Sequence, residues 1–337
     1  MDNQTDKNKT IVVTGAAGFI GSCTVQFLNE QGYENLILVD SFGVEKKRRN
    51  WEGKSFAQTV EREGFIQWLN DKQQKVDVVI HLGARTDTTE FDYSIHEALN
   101  LNYSKDVWTW CVQHNVPLIY ASSAATYGAG EHGYYDNNEV SNTLHPLNPY
   151  GISKNEFDKW ALHQQEQPHS WAGLKFFNVY GPNEYHKGRM ASVVYHAFHQ
   201  IEKGGFVKLF RSYKEAYKDG EQLRDFIYVK DIVKILFWMM NEMTSGNWAK
   251  TKNGIYNAGT GKARTFNDLV KNTFKGMMLP QHIKYVDMPE DIRDKYQYFT
   301  EADMEKLRNA GYTDAFYSLE DGVQEYVREY LAKDKIW

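Results

Sequence analysis

Thiols are scarce here: Cys23 and Cys111 are the two cysteines in 337 residues. Two cysteines cannot build a disulfide framework, and neither stands in a metal-like cluster, so both read as buried or half-buried side chains. No histidine pair has metal-ligand spacing with a carboxylate partner, and no metal is expected. No run approaches the ~18 apolar residues of a membrane span. The opening MDNQTDKNKT is polar and has no apolar signal core, which points to a cytoplasmic protein. Neither sign of charge dominates. With 39 basic and 44 acidic side chains, the net charge of −5 gives no global reason to expect nucleic acid or an anionic membrane. Internal repeats, low-complexity linkers and a clean domain boundary are missing too. What remains is an ordinary globular composition, 42% hydrophobic and 25% charged, long enough for one large or two medium domains.

The order of the apolar runs carries the organisation. TIVVT (Thr10–Thr14) is a β-branched run that predicts a buried strand. It leads into GAAGFIG, with glycines at 15, 18 and 21, then the helical pattern SCTVQFLNEQG, then a second strand, NLILVD, ending in Asp40. Strand, glycine turn, helix, strand and acid make up a dinucleotide-binding βαβ unit. Glycine lets the backbone approach a pyrophosphate, and the helix start offers free N–H groups and a positive dipole. Asp40 is placed to accept from a ribose hydroxyl. A carboxylate there favours NAD, because it repels a 2′-phosphate. VEKKRRN argues the other way, setting Lys46, Lys47, Arg48 and Arg49 where a 2′-phosphate would lie; its plainer reading is a solvated charged face. NADP is the expected cofactor and NAD the alternative. The alternation continues through VDVVIHLGA (Val76–Ala84), DVWTWCVQHN and VPLIYASSAATYG, the pattern of a doubly wound parallel α/β sheet. Function in such sheets collects at the carboxyl ends of strands, where the glycine turn, Asp40, Gly83–Ala84 and Ser122–Ser123 all fall.

PYGISK (Pro149–Lys154) sets Tyr150 and Lys154 four residues apart, on one face of a helix expected over YGISKNEFDKWALHQQ. The ammonium is expected to favour phenolate, lowering a pKa that is otherwise about 10. Ser123 could hold a substrate hydroxyl against that phenol.

TGAAGFIG, HLGA, YASSAATYG and YGISK, in this order, resemble the extended short-chain dehydrogenase/reductase family. FFNVYGPNEYHKGRMASVVYH (Phe176–His196), KLFRS, QLRDFIYVKDIV, YNAGTGKARTF and KYQYFTEADMEKLRNAGY (Lys295–Tyr312) are similar to its ADP-glyceromanno-heptose 6-epimerase branch. That similarity runs from about Thr10 to the C-terminal region. It implies a Rossmann-type doubly wound sheet with a smaller, interleaved C-terminal α/β substrate domain. The division it suggests gives 1–178 and 224–245 to the dinucleotide, and 179–223 and 246–337 to a sugar nucleotide.

The resemblance also implies a catalytic set of Ser123, Tyr150 and Lys154, with Lys187 of HKG as a second acid/base. The chemistry explains the pair: inverting an unactivated secondary alcohol requires a hydride to leave carbon and return to its other face. The oxygen then points to a different side of the pocket, so two proton-transfer groups on opposite sides are needed. Cofactor contacts are implied from Gly15, Gly18, Phe19, Ile20 and Gly21 in the turn. Asp40, Ser41, Lys47 and Arg62 would follow, then Leu82, Gly83, Ala84, Arg85, Asn100 and Lys154. Substrate contacts are implied from Asn178, Lys187 and His196, with Phe210, Arg211 and Ser212 along the nucleotide, which is adenine by resemblance. Arg224 would hold the diphosphate and Tyr296 would close the site.

Plainer readings stand beside these. Asn178 could be a turn cap, and Arg224 a salt bridge to Asp225 or Asp231. YKEAYKDGE, after Ser212, is expected as a surface loop. The resemblance further implies a homo-oligomeric ring, a pentamer, and a role in supplying heptose for the lipopolysaccharide core. The alternatives are another nucleotide-sugar epimerase, a dehydratase, and a non-catalytic dinucleotide sensor. A dehydratase would want an acidic pair where Ala124 and Ala125 stand, and a sensor should lack the tyrosine or a lysine.

Overall fold

The structure, a computed structural model, describes residues 7–71, 75–293 and 296–337, apart from the side chains of 291 and 292. Lys295 and the first six residues of the opening segment thus lie outside the described residues. The strands are β1 (Ile11–Thr14), β2 (Leu36–Asp40), β3 (Gln58–Glu61), β4 (Val78–His81), β5 (Leu118–Ser123) and β6 (Trp171–Phe176). After them come β7 (Asn178–Tyr180), β8 (Val207–Phe210), β9 (Leu223–Tyr228), β10 (Gly254–Ala258), β11 (Ala263–Thr265) and β12 (Ile283–Val286). Seven of these form one parallel sheet in the order β10-β6-β5-β4-β1-β2-β3.

β1, β2 and β4 are buried at every position. That is why they read as unbroken apolar runs: a parallel sheet is covered on both faces. On one face the helix Val229–Thr244 packs Ile232, Leu236, Met239 and Met243 among Ile11, Val13, Leu38 and Ile80. On the other, Trp108, Phe157 and Trp171 pack with Val12, Val79 and Leu118. This is the Rossmann-type α/β sheet that the motifs predict.

The remaining strands make two small sheets, β11-β9-β7 and β12-β8. One strand departs from the expected division. The expected division gives residues 254–258 to the substrate part, yet β10 pairs with β6 from Gly254↔Ala172 to Ala258↔Phe176 and so stands at the edge of the large sheet. A short apolar run does not reveal which sheet its backbone will join. The first helix, Phe19–Glu30, begins before the SCTV pattern because Gly18 takes an extended φ of −77° and acts as its N-cap. The terminal helix from Leu319 is regular only to Glu325, and then passes into a wider turn over Tyr326–Tyr330.

Candidate active site

The glycine turn is built so tightly that side chains do not fit. Gly15 holds φ +69°, where an added Cβ would lie 2.8 Å from the Gly83 nitrogen; one on Gly21 would lie 2.0 Å from the Gly15 carbonyl oxygen. The helix that follows has no side-chain cap and no acid in its first turn. Phe19 and Ile20 therefore open a helix whose positive end is free for an anion. Asp40, at the end of β2, accepts from the Ala17 amide at 2.9 Å and the Ser41 amide at 2.7 Å. These residues fit a dinucleotide: a cradle that only glycine permits, a helix N-terminus and an acid at the ribose position.

The basic run does not act as one patch. Lys47 turns back to Asp40, Nζ to Oδ1 at 2.9 Å. Arg48 pairs with Glu45 and Glu52, and Arg49 with Asp334. Lys46 and Arg49 line a cavity of about 180 Å³ with Asn50, Tyr185 and His186. Leu82, Gly83 and Ala84 follow β4 as expected, but Arg85 points to solvent and pairs with Asp87 and Glu90. Arg62 pairs with neighbouring Glu63. Asn100 is fully buried: its amide oxygen accepts from the Arg85 N–H, and its NH2 donates to the Arg85 carbonyl and Ser153 Oγ. It ties the loop after β4 to the tyrosine helix.

That helix spans Pro149–His163, starting one residue before the expected Tyr150 and ending two before Gln165. Asn148 caps it by accepting from the Gly151 amide at 2.8 Å, and Pro149 fills the first position. Gly151 lets the helix approach the end of β5: a Cβ there would meet the Ala125 carbonyl oxygen at 2.8 Å. Ser123 and Tyr150 are thereby brought together, with the Ser123 hydroxyl favouring the phenolate. The expected effect of Lys154 on Tyr150 is not found. Burial raises the phenol above its usual pKa, and the Lys154 ammonium donates to the Ala121 carbonyl at 2.8 Å. Burial also pulls Lys154 down to about 8, while Asp158, one turn further along, opposes the shift.

Lys187 lies on the short helix Tyr185–Met190, with its Nζ 5.3 Å from the centre of the Phe19 ring. Burial lowers its pKa and Glu184 resists. The second proposed acid/base thus lies over the first residue of the dinucleotide helix. Asn178 opens β7 and is exposed. His196 Nε2 is 3.3 Å from the Arg189 carbonyl oxygen.

Arg224, Phe210 and Tyr296 come together at the far end. The Arg224 guanidinium is 5.3 Å from the Tyr296 ring, which meets Phe210 edge-on at 6.3 Å. Arg224 is 7% exposed and donates to the carbonyls of Leu223 and Gln297. The salt bridge to Asp225 or Asp231 does not form. Asp225 accepts from Thr260, Gly261 and Ala302, and Asp231 from Tyr317. Arg211 instead faces outward, near Asp287. Ser212 pins the start of the charged loop by accepting from the Lys214 amide, and its own amide donates to Asp219. The loop lies against the site: Tyr217 packs 5.3 Å from Tyr298.

A profile of the NAD dependent epimerase/dehydratase family matches residues 11–259. The chain belongs to that family. A relative from Fusobacterium nucleatum, named ADP-L-glycero-D-manno-heptose-6-epimerase, is 48% identical over 335 residues, covering 96% of this chain and 98% of its own. One of the same name from Nitratidesulfovibrio vulgaris is 47% identical over 323 residues, covering 95% and 98%. The crystal structure of the Helicobacter pylori ADP-L-glycero-D-manno-heptose-6-epimerase superposes with a TM-score of 0.78 at 26% identity, covering 98% of this chain and 100% of that one. As an NAD dependent epimerase/dehydratase, the chain uses a nicotinamide cofactor. Among the described residues no helix is long and apolar enough to cross a membrane, and no group of three or more metal-ligating side chains is found.

Several buried polar residues packed around this site are not singled out by the sequence. Asp158 and Lys175 form a fully buried ion pair at 3.1 Å behind Lys154. Asp158 also accepts from Tyr120 at 3.0 Å and Ser122 at 2.6 Å. A signal was available for Asp158, which stands four residues after Lys154 on the same helix face. Buried Glu184, which accepts from Ser192 Oγ at 2.6 Å, and Asn50 carry no comparable signal.

Proposed function

We propose that the protein inverts the 6″ carbon of ADP-D-glycero-D-manno-heptose to give the L-glycero epimer. The observation that carries this reading is the 48% identity, over almost the whole chain, to a relative of that name. The site supports it residue by residue. Ser123 orients the reacting oxygen, and Tyr150 and Lys187 serve it from opposite sides, one taking the hydroxyl proton and the other giving one back. A nicotinamide held at the Gly15–Gly21 turn and Asp40 would supply the hydride acceptor and donor that the inversion needs, with no net redox change. The flat ketone turns between the two transfers. Lys154, fixed by its donation to the Ala121 carbonyl, completes the catalytic set and contacts the cofactor in this reading.

Arg224 is a buried guanidinium without an acid partner among the described residues, a chemistry suited to the substrate's diphosphate. Phe210 and Tyr296 lie beside it, and Asn178, His196, Arg211 and Ser212 are the further substrate contacts of this reading, Arg211 by turning in from its outward position near Asp287. We assign NADP as the cofactor. Support comes from Lys47, whose ammonium neutralises the Asp40 carboxylate that would otherwise repel a 2′-phosphate. In this reading Gly15–Gly21, Asp40, Ser41, Arg62, the Leu82–Arg85 turn and Asn100 make the cofactor contacts. A homo-oligomeric ring and supply of heptose to lipopolysaccharide complete the proposal.

The test is incubation of the purified protein with ADP-D-glycero-D-manno-heptose, first alone, then with NADP, then with NAD, followed by proton NMR of the sugar. Conversion to the L-glycero epimer is expected. Folded protein that converts nothing under all three conditions would remove the heptose assignment.

A further inference from the structure

Three loops that are distant in sequence meet at one buried amide. Asn50, which follows the basic run, is 3% exposed. Its Nδ2 donates to the Ala17 carbonyl of the glycine turn at 3.0 Å and to the Asn183 carbonyl at 3.0 Å. It also stands 3.2 Å from His186 Nδ1. Burial and the charges of Lys47 and Lys187 push His186 down to about 4, so the ring beside Asn50 is neutral near pH 7. Asn183 and His186 flank Glu184, whose carbonyl accepts from the Lys187 amide at 2.9 Å. Asn183 also holds a left-handed φ of +73°, a conformation that needs support from its surroundings.

Two further struts run from the first helix to this loop. The Asn183 side chain donates to Ser22 Oγ at 2.9 Å, and Cys23 Sγ lies 3.4 Å from the Pro182 carbonyl oxygen. Of these contacts, Asn50 is the one that grips the glycine turn itself. Anything that orders Ala17 orders an acceptor of Asn50, and the second acceptor of Asn50 belongs to the lysine loop.

We infer that Asn50 is a positioning residue that couples occupancy of the dinucleotide turn to the placement of Lys187. The inference rests on the reading of Lys187 as an acid/base for its bearing on turnover, but the coupling can be measured without catalysis.

The experiment is amide hydrogen exchange on the full chain with and without NADP, following segments 15–21 and 183–191. In the unsubstituted protein both segments slow when NADP is added. In Asn50→Ser the turn still slows, while segment 183–191 exchanges about ten times faster than in the unsubstituted complex, as expected for losing buried hydrogen bonds. His186→Ala is the second variant, with a smaller change in the same direction, and decides the matter if Asn50→Ser does not fold. A merely structural role would loosen segment 183–191 equally with and without NADP, and that result overturns the coupling. So does a segment 183–191 that ignores NADP in the unsubstituted protein. Lys187→Met separates the two claims. Retained turnover in that variant removes the acid/base reading and leaves the exchange result standing; lost turnover with an unaltered Asn50→Ser exchange pattern removes the coupling alone.

Discussion

Replacing Tyr150 by Phe lowers turnover by about 10²- to 10⁴-fold, the range for loss of a positioned proton-transfer group, and leaves cofactor binding in place. Phe keeps the ring that packs near His96 at 6.3 Å and removes only the hydroxyl beside Ser123. The helix itself is unaffected, because Asn148, Pro149 and Gly151 fix its start. The phenol is held above its ordinary pKa by burial, so at neutral pH it rests protonated and is set to donate to the oxygen as the ketone is reduced. Burial, which lowers the Lys187 pKa, suits that lysine to take the hydroxyl proton. Lys154 is expected to matter as a charged donor to the bound cofactor, not through the phenol's pKa. Its ammonium titrates at about 8, so turnover declines as pH rises through that value, the direction in which the charge is lost. Turnover, dinucleotide content and a pH profile of the two proteins check this together. A Tyr150→Phe protein with full turnover would remove the tyrosine from the mechanism.

Replacing Lys175 by Met destabilises the fold by about 3–5 kcal/mol, the cost of leaving one buried charge without its partner. Lys175 and Asp158 are both 0% exposed, and the ammonium also donates to Thr126 Oγ1 at 2.6 Å. Met fills similar volume, so the loss comes from the uncompensated Asp158 carboxylate more than from a cavity. The double replacement Asp158→Asn with Lys175→Met should recover most of that loss, because the Asn oxygen accepts from Tyr120 while its NH2 donates to the Ser122 hydroxyl, with no charge to bury. Urea unfolding of the single and double variants measures the difference. A double variant as unstable as the single would show that packing, not charge balance, sets the cost.

These two sites show how far the sequence can be read. Ser123, Tyr150 and Lys154 were legible because strand end, helix cap and four-residue spacing are local patterns, and local geometry carries them to one place. The glycine turn was legible for the same reason. What local patterns cannot give is which distant group answers a charge. Lys154 was expected to act on the phenol, but its donation to the Ala121 carbonyl and the buried surroundings of Tyr150 decide the direction instead. Lys46, Lys47, Arg48 and Arg49 look alike in sequence; Asp40, Glu45, Glu52 and Asp334 separate them in space. Asn50 and Lys175 were invisible, since a single amide in a basic run and a lysine in an apolar strand carry no periodic signal. β10 was recognisable as a strand but not as the seventh member of the large sheet, because pairing is set by tertiary packing rather than by five residues of pattern.

The central claim is that epimerisation proceeds by removal and return of the same hydrogen, with Tyr150 and Lys187 handling protons on oxygen alone. The most direct measurement starts from ADP-D-glycero-D-manno-heptose carrying deuterium at the 6″ carbon, in ordinary water. Mass and proton NMR of the L-glycero product report where the label has gone. The account predicts that the deuterium stays at the inverted carbon. Its replacement by solvent hydrogen during inversion would contradict the account and point to direct deprotonation of carbon.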